Sequence, residues 1–212
     1  SVTAVELNSE IAKLAKHNLA SSNVPVHCAD STKFQIPQNT DLIFIDPARR
    51  DPGAARNLLG QPKRSLNPND WSPNWNFVQS LANQYKVVAK VAPGISEELI
   101  GNWDAYWISS NGDLVETMLI SGGTGKRSAV LIIDNQVEVI AGGQSTPTAP
   151  IGKYLIVPNS ALIRASGLNH LASKLNAGLV NEHIAWLSTD DSNVEKVATS
   201  SVQIFKITEI AK

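Results

Sequence analysis

The sequence predicts an α/β fold built on a parallel sheet with helices on both faces. Three observations lead there. Val2 to Leu7, Val24 to Ala29 and Asp41 to Ile45 are short apolar runs suited to buried strands. The runs stop at acidic residues, Glu6, Asp30 and Asp46 in turn. Between the first two lies a segment with helical periodicity and a polar start.

That first helix is expected after Asn8-Ser9, whose side-chain oxygens can accept early backbone N–H groups. Ile11, Leu14, Ala15 and Leu19 fall on one face of it, and Ser21-Ser22-Asn23 breaks it. A polar stretch rich in Pro, Gly, Asn and Arg runs from Arg49 to about Pro73, longer than a plain connector. Asn74 to Ala82 fits a helix, Lys86 to Val91 a fourth strand, and Ser96 caps a short helix reaching about Trp103. Leu114 to Ser121 and Ser128 to Ile133 are two more strands, read as an antiparallel hairpin joined by Gly122-Gly123-Thr124-Gly125.

Gln144 to Pro150 has linker composition and divides the chain into residues 1–143 and 151–212. In the second part, Ser160 is expected to cap a helix carrying Leu162, Leu168, Leu171, Ala172 and Leu175, with Gly178 as its stop. Ile184 to Leu187 and Val202 to Ile207 read as strands.

Composition narrows the class. The 212 residues are 42% hydrophobic and 17% charged, ordinary for a globular protein with a real core. No apolar run reaches the roughly 18 residues a membrane span needs, and no signal peptide is recognisable, so a cytoplasmic protein is expected. A net charge of −1 gives no bulk attraction for nucleic acid. The single cysteine, Cys28, rules out an internal disulfide, and the four histidines show no metal-ligand spacing.

Strand–Glu6–capped helix, strand–Asp30 and strand–Asp46-Pro47 followed by a hairpin resemble the class I S-adenosylmethionine-dependent methyltransferases, which have a Rossmann-like sheet. The resemblance implies roles. Glu6, with Leu7 beside it, matches the acid that grips the cofactor ribose. Asp30, with Ser31 beside it, matches the acid near the adenine amine. Asp46 and Pro47 match the Asp/Asn-Pro loop at the transferred methyl group. Lys153-Tyr154 through Ile207 resembles the THUMP-like α+β domain of a bacterial group of such enzymes, whose own loop reads Asp-Pro-Ala-Arg, as at residues 46–49. The cofactor implied is S-adenosylmethionine.

The sequence departs from this pattern at its start. It opens directly into the strand ending at Glu6, without the first strand and the Gly-rich turn that bring backbone close to the cofactor. A piece of a longer protein is therefore expected, with a Rossmann-like sheet lacking its first strand. That sheet should show a gap, a displaced strand pair or an edge filled by another chain between the strands ending at Glu6 and Asp46. Gly122 to Gly125 is no substitute, because it joins strands rather than opening a helix.

The residues themselves carry chemistry. A carboxylate such as Glu6 can accept from both hydroxyls of a ribose, although an acid there also suits a helix N-terminus. Methyl transfer is an in-line displacement that needs the acceptor held close and aligned. Asp46 can bind an acceptor hydrogen, and Pro47 stiffens the loop; the alternative is a simple Asp-Pro turn. Ala48 and Arg49 place no aromatic base clamp in the loop. Cys28, read as a buried core thiol, offers no covalent nucleophile. Lys90, on the fourth strand, reads first as a strand-end charge, with a place facing the site as the alternative.

Residues 49–64 hold Arg49, Arg50, Arg56, Lys63 and Arg64 against the single acid Asp51, with Trp71 and Trp75 following. Arg50, Arg56, Lys63 and Arg64 suit a phosphate backbone, and the tryptophans suit stacked bases. The alternative is a solubilising loop with both indoles in the core. RNA is thus the expected partner and direct methyl transfer the expected reaction. A non-catalytic RNA- or protein-binding module is the second reading. A nucleotide-dependent oxidoreductase, which does not account for Asp46-Pro47, is the third.

Overall fold

A computed structural model describes residues 1–49, 65, 67–197 and 202–209. It divides into two compact units, Ser1–Ile43 with Pro47–Tyr85, and Phe44–Asp46 with Lys86–Lys212.

The first unit opens with a βαβ element. Strand β1 (Ala4–Glu6) leads into helix α1 (Ser9–Asn18), and the chain returns as β2 (Val26–Cys28), parallel to β1. Asn8 caps α1 as expected, its Oδ1 accepting from the backbone N–H of Glu10 at 2.9 Å and of Ile11 at 3.1 Å. Asn23 ends the following turn in the left-handed conformation, where asparagine is tolerated. Burial of α1 differs from the periodicity: Ala12 is enclosed, while Ile11 and Leu14 are 52% and 65% exposed. Two three-residue strands are the sheet beside the helix in this unit, and they are too narrow to cover its apolar stripe.

Cys28 is likewise exposed rather than a core thiol. It ends the second strand of a two-stranded sheet, with no further strand beside it among the described residues.

The second unit begins with the last residues of β3 (Leu42–Ile45). Helix α2 (Trp75–Ala82), which belongs to the first unit, is capped by Asn74, whose Oδ1 accepts from the Phe77 N–H at 2.9 Å. Then come β4 (Lys86–Val91), α3 (Glu97–Ile100), β5 (Asp104–Ser110), β6 (Asp113–Ile120), β7 (Arg127–Ile133) and β8 (Gln136–Ala141). The six strands run in the order β3-β4-β6-β5-β7-β8. The sheet is mixed: β6 is antiparallel to both β4 and β5, β7 is parallel to β5, and β8 is antiparallel to β7.

Alternation sets its two faces. Val91, Thr117, Trp107, Ala129 and Ile140 form one row across five strands, and all are buried. The opposite row, Lys90, Met118, Tyr106, Ser128 and Ala141, is more open, with Lys90, Met118 and Tyr106 half-buried.

The expected break is present: β1 and β2 make their own sheet, and β3 is an edge strand of the other. The expected hairpin is not. β5 lies between β6 and β7, so Gly122 to Gly125 connects strands that are not neighbours. The hairpin is β5–β6, turned by Asn111 and Gly112 with φ of 47° and 96°. Two positive-φ residues match the right-handed twist of the flanking strands, and Asn-Gly is the pair that adopts them most easily.

The glycine-rich segment instead wraps a carboxylate. Asp104 Oδ1 accepts from the backbone N–H of Thr124 at 2.9 Å and of Lys126 at 2.8 Å. A Cβ on Gly123 would fall 2.3 Å from Asp104 Cγ, so a side chain there has no room. The Lys126 N–H, first among several donors, holds the Asp104 carboxyl below its ordinary 3.8. A depressed folded value means stabilisation that is complete above the unfolded value and lost as pH falls through the folded one. In urea unfolding, Asp104→Asn is therefore expected to be less stable than the unmodified protein at neutral pH. The gap should close as pH drops below 3.8; a gap independent of pH would refute the assignment.

The rest of the unit holds β9 (Tyr154–Pro158), α4 (Ser160–Arg164), α5 (Leu168–Leu175), β10 (Gly178–Asn181), β11 (Ile184–Thr189) and β12 (Val202–Lys206). The strands form an antiparallel sheet in the order β10-β11-β9-β12. The single helix expected after Ser160 is two, broken at Ser166 (φ 55°) and Gly167. Its cap is Asn159, not Ser160: Asn159 Oδ1 accepts from the Ala161 N–H at 2.8 Å. The same side chain donates to Ser109 Oγ on β5 and to the Gly112 carbonyl. Within the presumed linker, the Pro147 carbonyl accepts from the Leu179 N–H, and the Ala149 N–H donates to the Leu179 carbonyl.

Candidate active site

In the first unit, the parallel register sets Glu6 opposite Cys28, and the Ala29 N–H donates to the Glu6 carbonyl at 3.0 Å. Glu6 and Asp30 are thereby brought to one edge, the carboxyl ends of adjacent parallel strands. That is where open α/β sheets bind ligands. Glu6 Oε1 accepts from the Asn8 N–H at 2.7 Å, which orients the carboxylate just ahead of α1. Leu7 is exposed beside it.

Asp30 Oδ1 accepts from the Thr32 hydroxyl at 2.7 Å and from the Thr32 N–H at 2.9 Å. The Thr32 hydroxyl is the largest cause holding this carboxyl below its usual range, so Asp30 is an anion near neutral pH. Ser31, next in the chain, is half-buried.

In the second unit, Asp46 follows β3 and its Oδ2 lies 2.6 Å from Lys90 Nζ. Lys90 stands on β4 between two carboxylates, with Glu116 Oε2 of β6 at 3.8 Å. Lys90, one residue before the end of β4, is thus near the strand end as read and also pairs with both carboxylates. The side chains of Lys90 and Glu116 are each 33% exposed and that of Asp46 is 51%, so all three remain within reach of solvent.

The loop after Asp46 returns to the first unit. Pro47 is buried. Ala48 exchanges two backbone hydrogen bonds with Ser72, at 2.8 and 3.0 Å, and keeps its methyl group exposed. The Arg49 carbonyl accepts from the Ser65 N–H at 2.7 Å. Arg50, Arg56, Lys63 and Arg64 lie outside the described residues.

The tryptophans beyond them do not stack on solvent-borne bases. Trp71 and Trp75 are 4% and 1% exposed and pack edge to face, with the Trp71 indole N–H donating to the Ser65 carbonyl. Burial of two indoles contributes far more apolar contact than an open loop would. Among the described residues no cluster of three His, Cys, Asp or Glu has the geometry of a metal site. None of the described helices is long and apolar enough to cross a membrane.

The sequence held a signal for Lys90 and Glu116 that the strand patterns obscured. Each is a charged residue flanked by an apolar neighbour within its strand, on the face opposite the buried one. A charge so placed asks for a partner across the sheet.

No family model matches the chain. Two curated relatives do, from Mycobacterium tuberculosis strains CDC 1551 / Oshkosh and ATCC 25618 / H37Rv. Each is named as an uncharacterised S-adenosylmethionine-dependent methyltransferase and is 27% identical over 191 residues. The match covers 84% of this chain and 49% of each relative, so the chain spans about half the length of the curated relatives it matches. A crystal structure of a candidate methyltransferase from Porphyromonas gingivalis W83 has a TM-score of 0.67 at 16% identity, over 98% of this chain and 55% of that one. This likeness shows the fold, which is the Rossmann-like fold of methyltransferases.

Proposed function

We propose that this chain carries part of an S-adenosylmethionine-dependent methyltransferase that modifies RNA by direct in-line transfer. The observation that carries the reading is Asp46, at the carboxyl end of β3, with one carboxylate oxygen held by Lys90 at 2.6 Å. The naming of the curated relatives supports the same chemistry.

The residues of the first unit fit the nucleoside end of the cofactor. Glu6 stands at a strand terminus with one oxygen oriented by backbone, and a carboxylate has capacity for a diol besides. Asp30 is an ionised acceptor on the same edge. In this reading Glu6 and Leu7 hold the ribose, and Asp30 and Ser31 hold the adenine. When bound, the cofactor supplies an electrophilic methyl group on a sulfonium.

The chain's own residues then need only orient the acceptor. Asp46 accepts a hydrogen from an acceptor N–H or O–H at Oδ1 and can take the proton that methylation releases. Pro47, Ala48 and Arg49 shape the acceptor side. Cys28 takes no part, and no covalent intermediate is needed. Arg50, Arg56, Lys63 and Arg64 engage RNA phosphates in this reading. Residues 1–143 form the methyltransferase domain, and residues 151–212 serve as a THUMP-like unit that presents the RNA.

The test is tritiated methyl transfer to total RNA by the full-length protein, paired with calorimetry of S-adenosylmethionine binding. Glu6→Ala is expected to weaken that binding about tenfold, one or two charge-assisted hydrogen bonds being lost. No detectable cofactor binding by the unmodified protein would end the methyltransferase reading. Binding without transfer to RNA would remove the RNA acceptor alone.

A further inference from the structure

Three charged side chains meet on the open face of the six-stranded sheet, and the fold supplies one from each of three neighbouring strands. β4 lies between β3 and β6. Lys90 projects from β4, Asp46 directly follows β3, and Glu116 projects from β6. We infer that Lys90 and Glu116 are positioning residues for methyl transfer: Lys90 fixes the Asp46 carboxylate, and Glu116 leaves the trio with a net negative charge.

The distances assign unequal roles. At 2.6 Å, Lys90 makes a charge-assisted hydrogen bond to Asp46 Oδ2, which restricts the carboxylate rotamer and directs Oδ1 away from the ammonium. At 3.8 Å, Glu116 is an ion-pair partner rather than a close hydrogen-bond acceptor. Lys90 and Asp46 alone would be neutral together. With Glu116 ionised the trio carries −1.

That residual charge matters for the reaction proposed above, on which this inference rests. When a neutral N–H or O–H nucleophile gives its electron pair to the methyl carbon, positive charge develops on the acceptor atom. A fixed negative site beside that atom stabilises the transition state more than the ground state. The trio therefore suits a neutral, hydrogen-bearing acceptor such as a base amine or a hydroxyl.

The experiment is steady-state methyl transfer by full-length Lys90→Met, Lys90→Arg, Glu116→Gln and the Lys90→Met/Glu116→Gln double variant. Cofactor calorimetry and melting curves are recorded for each. Lys90→Met is expected to lose at least about tenfold in kcat, misplacement of a reacting group by an ångström being enough for that. Cofactor affinity and melting temperature should stay near those of the unmodified protein. Lys90→Arg should recover most of the loss. Glu116→Gln should lower kcat severalfold by removing its charge, and the double variant should lose about the product of the two single losses, because fixing the carboxylate and supplying charge are separate effects.

A Glu116→Gln kcat equal to that of the unmodified protein would overturn the role of the charge. Losses that follow the melting temperature would make the pair structural and overturn the inference. So would a kcat for Lys90→Met equal to that of the unmodified protein. Absence of turnover in the unmodified protein would instead remove the functional reading together with this one.

Discussion

Asp46→Ala in the full-length protein is expected to lower methyl transfer about 10²- to 10³-fold, or roughly 3–4 kcal/mol of transition-state stabilisation. Alanine removes both the oxygen that aligns the acceptor and the group that takes its proton. The loss should fall on kcat, because the acids of the first unit, not Asp46, are read as holding the cofactor. Stability should change by less than about 1 kcal/mol. The Asp46 side chain is 51% exposed, and Lys90 keeps Glu116 as a partner at 3.8 Å. Single-turnover transfer and urea unfolding on the same sample measure both quantities. A variant that turns over within a few fold of the unmodified protein would place the acceptor elsewhere.

Trp107→Ala is expected to destabilise the second unit by about 3–5 kcal/mol, the range for an aromatic removed from a packed interior. Trp107 is 1% exposed at the centre of β5, with Thr117 and Ala129 opposite it on either side. Its indole N–H also donates to the Pro93 carbonyl at 3.2 Å, which the substitution leaves without that donor. Trp186→Ala provides the contrast: that indole is 45% exposed on the four-stranded sheet and should cost about 1 kcal/mol or less. Equal urea midpoints for the two variants would mean that β5 does not lie inside the sheet as described.

The position of β5 also marks where sequence patterns misled. Asp104 to Ser110 buries every second residue but does not alternate in sequence, and the Gly-rich segment downstream gave the stronger turn signal. A glycine run can serve a hairpin or wrap a buried contact, and local chemistry does not separate the two. Here the deciding contact is the Asp104 carboxylate, which lies far upstream in sequence. Asn111-Gly112 was the better hairpin signal, because it meets the φ requirement of a tight turn directly.

The candidate site was legible to a similar degree. Strand ends are local features, so Glu6, Asp30 and Asp46 could be placed at carboxyl termini from hydrophobic runs alone. What each acid touches was not local. Asn8 is near enough to Glu6 for its role to be inferred, whereas Lys90 and Glu116 reach Asp46 only through the neighbour order of β3, β4 and β6. Trp71 and Trp75 show the same limit. Their sequence neighbourhood is basic and polar, but their burial is decided by tertiary packing.

By itself the sequence determined the α/β class, the Asn8 helix cap, strand β4 to the residue, and the acids that close the first three strands. These depend on hydrogen bonds and periodicities within a few residues. Only the tertiary structure decided that β5 separates β6 from β7, that Asn159 rather than Ser160 caps α4, that Cys28 is exposed, and that Lys90 holds Asp46. Those outcomes depend on which distant strands become neighbours, a choice made by burying apolar area over the whole sheet rather than by any short stretch of chain.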